Sequence, residues 1–382
     1  MKIILADFEA HLRFAPLSLT RPIGDIRVGL FTNLERWSIL LPEDHIGFQS
    51  ESYLSDEYEM LNDGKIINAC IIPNTDFVAS LVHLEDNCRL MLGENTMAIT
   101  GTGKNIVNFK GEVPIIINHR WELLSVNAAA ISNDISLIKE SISYQKIPKD
   151  VVVIGSKDAI YIEEGAIVSS CTLNTNEGPI YISKGAEVME GSLIRGPFAL
   201  CENAVVKMGA KIYGATTIGP FCKVGGELSN VIFQSYSNKG HDGFLGNSYI
   251  GEWCNLGADT NVSNLKNNYD SVSSYCYEQK EEINTGLQFL GLFMGDHSKT
   301  GINSMFTTGA VVGVSCNLYG AGFFPKHTLS FSWGEPNALE PFRIEKSLEY
   351  ANKMMDRRSE ELSAEEENIL VHLKDLYGLN NH

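Results

Sequence analysis

ISKGAEVMEGSLIRGPFALCENAVVKMGAKIYGATTIGPFCKVGGELS, residues 182–229, divides without remainder into hexads that open on Ile182, Val188, Ile194, Leu200, Val206, Ile212, Ile218 and Val224. The fifth position is mostly small or medium, and glycine recurs at the second to fourth. A period of six matches neither the alternation of a strand nor the 3.6-residue turn of a helix. It fits a short strand plus a corner, three such units closing one triangular coil and the coils stacking as parallel strands. The aliphatic first positions then point inward, and the glycines permit the corners.

Working outward, a weaker trace begins at Ile162 (IEEGAI, VSSCTL). The repeat resumes two residues out of phase as FLGNSY, IGEWCN and LGADTN, opening on Phe244, Ile250 and Leu256, and again from Met294 as MGDHSK, TGINSM, FTTGAV, VGVSCN and LYGAGF. The solenoid is expected over 149–333, with a polar and aromatic inserted loop or short hairpin at 265–292 projecting from one corner. Residues 334–382 read as a helical tail of two helices, the second opened by a capping box at Ser363 and Glu366, and are expected to close the open end of the solenoid. Residues 1–148, with short strand-like runs (MKIILAD, KIINACIIP, VPIIINH) between helical segments, read as a small α/β domain.

The composition, 44% hydrophobic and 20% charged, is that of a globular protein. A formal net charge of −17 excludes nucleic acid or an anionic membrane as a partner held by a general field, so a phosphorylated ligand must be gripped by a few local Lys or Arg residues. No apolar run approaches the roughly 18 residues of a spanning helix, and a cytoplasmic protein is expected. The eight cysteines form no CxxC pair and neighbour no histidine cluster, so neither a metal site nor a disulfide framework is expected.

The segment HDGFLGNSYIGEWCNLGADT, residues 241–260, resembles H-L-[ST]-Y-[VL]-G-D-x-x-[IV]-G-x-x-x-N-I-G-A-G-T. That pattern comes from the acetyltransferase half of the bifunctional family that makes UDP-N-acetylglucosamine (GlmU-like), within the left-handed β-helix hexapeptide acyltransferases. His241, Gly246, Gly251, Asn255, Gly257, Ala258 and Thr260 fall on the pattern without gaps. The resemblance implies that His241 is the general base, that Asn255 touches the sugar and that Ala258 lies on the acetyl-CoA path. The chemistry is coherent, because an ammonium must lose a proton to attack a thioester and imidazole as a residue type titrates near neutrality. The alternative is a solvated polar corner.

The sequence departs from the pattern at Phe244, which removes an aromatic hydroxyl, at Asp259, which replaces a glycine, and at Asn264-Leu265-Lys266-Asn267, which replace N-Y-D-G. With eighteen residues per coil, Asp259 is expected to stack on His241, either orienting the imidazole as in a dyad or remaining a solvated turn carboxylate. Lys207, Lys223, Lys239 and Lys266, together with Asn264, are the candidates for contacts to a sugar phosphate.

The opening LADFEAHLRFAPLSLTRP, residues 5–22, resembles the sugar nucleotidyltransferase signature at Leu5, Ala6, Arg13, Pro16, Leu17 and Arg21-Pro22, but Asp7, Phe8, Glu9 and Ala10 replace the phosphate-cradling glycines. The resemblance implies a shortened nucleotidyltransferase-like domain in which Arg13, Arg21 and Arg27 face a nucleotide such as UTP or another NTP, with Mg²⁺ compatible with that chemistry. The expected function is acetyl-CoA-dependent N-acetylation of an amino sugar phosphate by a homotrimer, with or without nucleotidyl transfer. Two rival readings stay open: a nucleotidyltransferase carrying a structural β-helix, and a non-enzymatic trimeric scaffold.

Overall fold

The computed structural model of the protein describes residues 1–379. Hexad-opening residues from Ile182 to Val224 are all buried and share one core running up the solenoid. Parallel pairing sets Ile182 against Leu200, Leu200 against Ile218, and Val188 against Val206 and then Val224, so three hexads complete each coil. The first face begins with strands 152–154, 172–174 and 193–195, the second with 160–162, 180–182 and 198–200, and the third with 167–168, 187–188 and 205–206. The third-face sheet has ten strands, the last of which turns back antiparallel, leaving nine stacked coils. Corners use left-handed backbone, as at Gly209 (φ 70°) and Asn203 (φ 55°), which glycine and asparagine adopt at least cost.

The phase changes in the middle of the stack. Strands 227–233 and 244–250 run through the corner from the first face to the second without a break. Leu228 pairs with Leu245, and Leu245, not Phe244, is wholly buried. The expectation that Phe244 opens an inward hexad is therefore corrected by one residue, and its ring stands half-buried on the outer surface.

The inserted segment forms an antiparallel hairpin, 273–276 with 281–284. It reaches the amino-terminal domain, where Arg120 donates 2.9 Å to Ser274 Oγ and also to the Tyr275 carbonyl, and Glu278 lies 3.9 Å from Arg13. That domain holds a six-stranded sheet in the order 45–49, 2–6, 65–68, 95–99, 88–92, 105–108, the first three strands parallel. Its long helix, Glu122–Ile138, lies on the second face of the solenoid: Asn127 donates to the Ala215 carbonyl (2.9 Å) and accepts from Thr217 Oγ1 (3.1 Å). Ile232, Tyr249 and Phe293, outward on that face, join the core of the amino-terminal domain, so the second face is sealed.

The carboxy-terminal helices, Ile344–Asp356 and Ala364–Tyr377, do not close the solenoid's end as expected. They run along its flank: Ile369, Leu370 and Leu373 of the second pack between solenoid and amino-terminal domain, and Ala351 and Met355 of the first are buried. Ser347 hydrogen-bonds Ser315, Tyr236 donates to Glu360 (3.3 Å), and His372 stacks on Tyr53 at 4.7 Å. The antiparallel return of 338–341 on 332–335 occupies the terminal coil instead. All eight cysteines are buried and unpaired. Among the described residues no helix is long and apolar enough to cross a membrane.

Candidate active site

A groove of about 800 Å³ crosses the third face, within the size range of small-molecule sites. Its floor is a ladder of outward side chains from successive coils, Lys223 beside Asn238, Asn238 beside Asn255, and Asn255 beside Lys299. Alternation along each short strand sends these four outward while Val224, Lys239, Leu256 and Thr300 point inward. One wall is the corner that follows the third face, carrying Gly240, His241, Gly257, Ala258 and Ile302. The opposite wall is the end of the first carboxy-terminal helix, with Lys353, Met354, Arg357 and Arg358.

His241 is exposed, and its ring makes no hydrogen bond to another described residue, leaving both nitrogens open to a ligand. The corner is held from beneath by Lys239. This lysine is 1% exposed and donates to the carbonyls of His241 (2.7 Å), Asp242 (3.2 Å) and Gly225 (3.5 Å). Burial pushes its ammonium down to about 8. Lys239 was expected to face a sugar phosphate; it occupies an inward position and serves the corner's backbone instead.

The expected His241–Asp259 stack is not formed. Asn238 pairs with Asn255, an offset of seventeen rather than eighteen, which brings Ala258 level with His241. Asp259 donates its backbone N–H to the Asp242 carbonyl (3.0 Å), and its carboxylate accepts from Asn261 (3.1 Å). Asn264 and Lys266 also lie outside the groove: Asn264 donates to Asn247 (2.8 Å), and Lys266 closes its own loop on the Ser271 carbonyl (2.7 Å). Asn255, Ala258, Lys207 and Lys223 do line the groove with His241.

Four cations that sequence reasoning missed are there as well: Lys299, Lys353, Arg357 and Arg358. Lys299 ends the hexad MGDHSK and stacks on Asn255, so the repeat itself carried the signal. The other three depend on where the helix docks, which no local pattern specifies. Burial lowers Lys223, and the neighbouring charges of Arg358, Lys207 and Arg357 lower it further. Lys299 is pushed down to about 8, chiefly by burial, while its ammonium donates to the His297 carbonyl (2.8 Å). Among the described residues no aspartate or glutamate lines this groove, in a chain whose net charge is −17.

The amino-terminal arginines divide differently from expectation. Arg21 is buried between the domains, bonded to Asp296 (2.5 Å), Glu252 (2.8 Å) and Asp25 (3.1 Å). Burial raises Asp25 to about 6 despite the adjoining Arg21. Arg27 is likewise buried, donating to the Leu30 and Gln234 carbonyls and to Glu35. Both are spent on the domain interface and are corrected as nucleotide contacts. Arg13 alone keeps partial exposure, beside Glu278. Asp7, the first carboxylate in the loop that replaces the phosphate-cradling glycines, is buried, accepting from Ile23 N–H (2.9 Å) and Ser50 Oγ (2.5 Å) and bonded to His11 (2.8 Å). That set does not fit Mg²⁺. Among the described residues no three His, Cys, Asp or Glu side chains gather as metal ligands.

Comparison with known proteins agrees with this two-part organisation. Residues 3–142 match the family model described as sugar nucleotidyl transferase. The chain is 32% identical over 197 residues to the bifunctional protein GlmU of Methanococcus aeolicus, a match covering 52% of this chain and 41% of that protein. It is 30% identical over 200 residues to the protein of the same name from Methanocaldococcus jannaschii, covering 52% and 42%. A bifunctional sugar-1-phosphate nucleotidylyltransferase/acetyltransferase of Sulfurisphaera tokodaii is 29% identical over 145 residues, covering 37% and 36%. The chain thus spans less than half the length of the curated relatives it matches. Among solved structures, the UDP-N-acetylglucosamine acyltransferase from Campylobacter jejuni aligns over 61% of this chain and 97% of its own at 14% identity, with a TM-score of 0.23, too low to bear on the fold. The chain is similar to the GlmU-type bifunctional proteins, its residues 3–142 matching the sugar nucleotidyl transferase model and a parallel β-helix following them.

Proposed function

We propose that the third-face groove transfers an acetyl group from acetyl-CoA to the amine of an amino sugar phosphate. The observation that carries the reading is the meeting of an open imidazole, His241, with Asn255, Ala258 and a set of cations in one groove of a protein that is otherwise acidic. His241 takes a proton from the acceptor's ammonium, and the freed amine attacks the thioester carbonyl. The Asn255 amide donates to the developing oxyanion. Collapse breaks the carbon–sulfur bond, the nitrogen gives its second proton to the departing thiolate so that CoA leaves as the free thiol, and His241 returns the first proton to solvent. Lys239 keeps the 241–242 corner in place by binding its carbonyls. The test is release of free CoA thiol from acetyl-CoA in the presence of a panel of amino sugar phosphates, glucosamine 1-phosphate among them.

Self-association as a homotrimer forms part of the proposal. The first face is left uncovered and exposes Val152, Leu193, Tyr213 and Phe323, whereas the amino-terminal domain seals the second. Copies meeting there would stand beside the corner that carries His241. Mass measurement by light scattering tests this.

A second reading, nucleotidyl transfer by the amino-terminal domain, has its support in the family match of residues 3–142. With Arg21, Arg27 and Asp7 all bound internally, we assign that domain weak or altered nucleotide binding centred on Arg13, not vigorous catalysis.

A further inference from the structure

Two features of the groove are unexplained by an amino sugar and its single phosphate. One is the number of cations: Lys207, Lys223, Lys299, Lys353, Arg357 and Arg358 line it with no carboxylate among the described lining residues, and of the six Lys353 is paired, with Glu349 on its own helix at 2.6 Å. The other is their arrangement. The helix Ile344–Asp356 and the turn after it follow the corner that precedes the third face. They are fixed there by Ser347 on Ser315, Arg358 on Asn238 (3.0 Å) and Glu360 on Tyr236. His241 stands in the corner that follows the third face. Base and basic helix end therefore flank the same strands from opposite sides, and both belong to one chain.

Crowding like charges with a single counter-ion, Glu349, is unfavourable, and an anion spanning them relieves it. Arginine is suited to this work, since its planar fork binds phosphate oxygens in pairs. A donor that is polyanionic at one end and reactive at the other fits such a groove. CoA has that form, with a diphosphate and a 3′-phosphate far from its thioester.

We propose that Arg357 and Arg358 form a clamp for the phosphates of CoA supplied in cis, so that the donor half of each site is complete within a single chain. This rests on the transferase reading above and adds to it the residues that hold the donor and the chain they come from. The acceptor enters from the His241 side, next to the uncovered first face.

The experiment compares CoA, dephospho-CoA and pantetheine by calorimetry on the whole protein and on the Arg357→Ala/Arg358→Ala variant. The wild type binds CoA tightest and pantetheine weakest, and the variant loses about 10- to 100-fold in CoA affinity, as expected for two charge-assisted contacts, while its affinity for pantetheine is unchanged. Equal wild-type affinities for CoA and pantetheine would overturn the clamp even if acetyl transfer is observed; absence of any CoA release would instead remove the transferase reading.

A mixing experiment tests the cis arrangement. The double variant and a His241→Ala variant are unfolded and refolded together, then assayed at limiting acetyl-CoA. No activity beyond the sum of the separate variants is expected; restored activity would show that the clamp serves a neighbour's base. Circular dichroism of both variants keeps a folding failure from being read as loss of binding.

Discussion

Arg358 donates a 3.0 Å hydrogen bond to Asn238, at the start of the strand that leads into the His241 corner. The tail of the chain is thereby tied to the floor of the groove in its middle. A variant that cuts this tie without removing a cation, Asn238→Ala, is expected to weaken CoA binding several-fold while leaving the melting temperature within a few degrees, since one partly exposed hydrogen bond contributes about 1 kcal/mol. Unchanged affinity would mean that the helix end is positioned without Asn238.

The phase of the β-helix is tested by a matched pair. Leu245→Asp puts an unpaired charge into the core and is expected to unfold or severely destabilise the protein, whereas Phe244→Asp, on the half-buried outer side, is expected to cost far less. Ile218→Asp should behave like Leu245→Asp. Thermal melts decide, and equal effects at 244 and 245 would contradict the register.

Arg21→Ala removes the cation from a buried group of three carboxylates, Asp25, Glu252 and Asp296. Breaking such a set is expected to destabilise by about 3–5 kcal/mol. Urea titration of folding measures this, and acetyl transfer per folded molecule should survive. A variant of wild-type stability with lost UTP binding would return Arg21 to the nucleotide.

The pH dependence of donor binding follows from Lys299, held at about 8 mainly by burial. An anion prefers the protonated ammonium, so CoA affinity is expected to hold below pH 8 and to fall as pH rises through it. The stability contribution has the opposite sense. Lys299 and Lys239, also at about 8, have folded values below the unfolded 10.5, so between those limits the unfolded chain binds more protons and folding gains stability as pH rises. Calorimetric binding and urea midpoints at pH 7 to 10 separate the two trends; affinity that increases above pH 8 would contradict the assignment of Lys299.

For the amino-terminal domain, pyrophosphate release from UTP and N-acetylglucosamine 1-phosphate with Mg²⁺ is expected to be weak or absent, because ordered displacement needs the phosphate oxygens positioned and the usual backbone cradle is missing. Robust release abolished by Arg13→Ala would make the protein bifunctional in its own right.

The stacked core was legible because each aliphatic first position from Ile182 to Val224 is in fact inward. The slip at Phe244 was not, since the seven-residue strands 227–233 and 244–250 absorb a change of phase with no punctuation in the sequence. That His241, Asn255 and Ala258 would line one groove was legible from a local pattern, and Lys299 could have been found there by continuing the ladder from Asn255. Lys353, Arg357 and Arg358 reach the site only through tertiary docking. Arg21 and Arg27 were misread because a surface loop and a buried interface can present the same arginine-rich string.

The most direct test of the account is free CoA release from acetyl-CoA with an amino sugar phosphate acceptor, wild type against His241→Ala. Loss of the general base is expected to lower kcat about 10²- to 10⁴-fold with folding and assembly intact. Wild-type turnover in that variant would contradict the central claim.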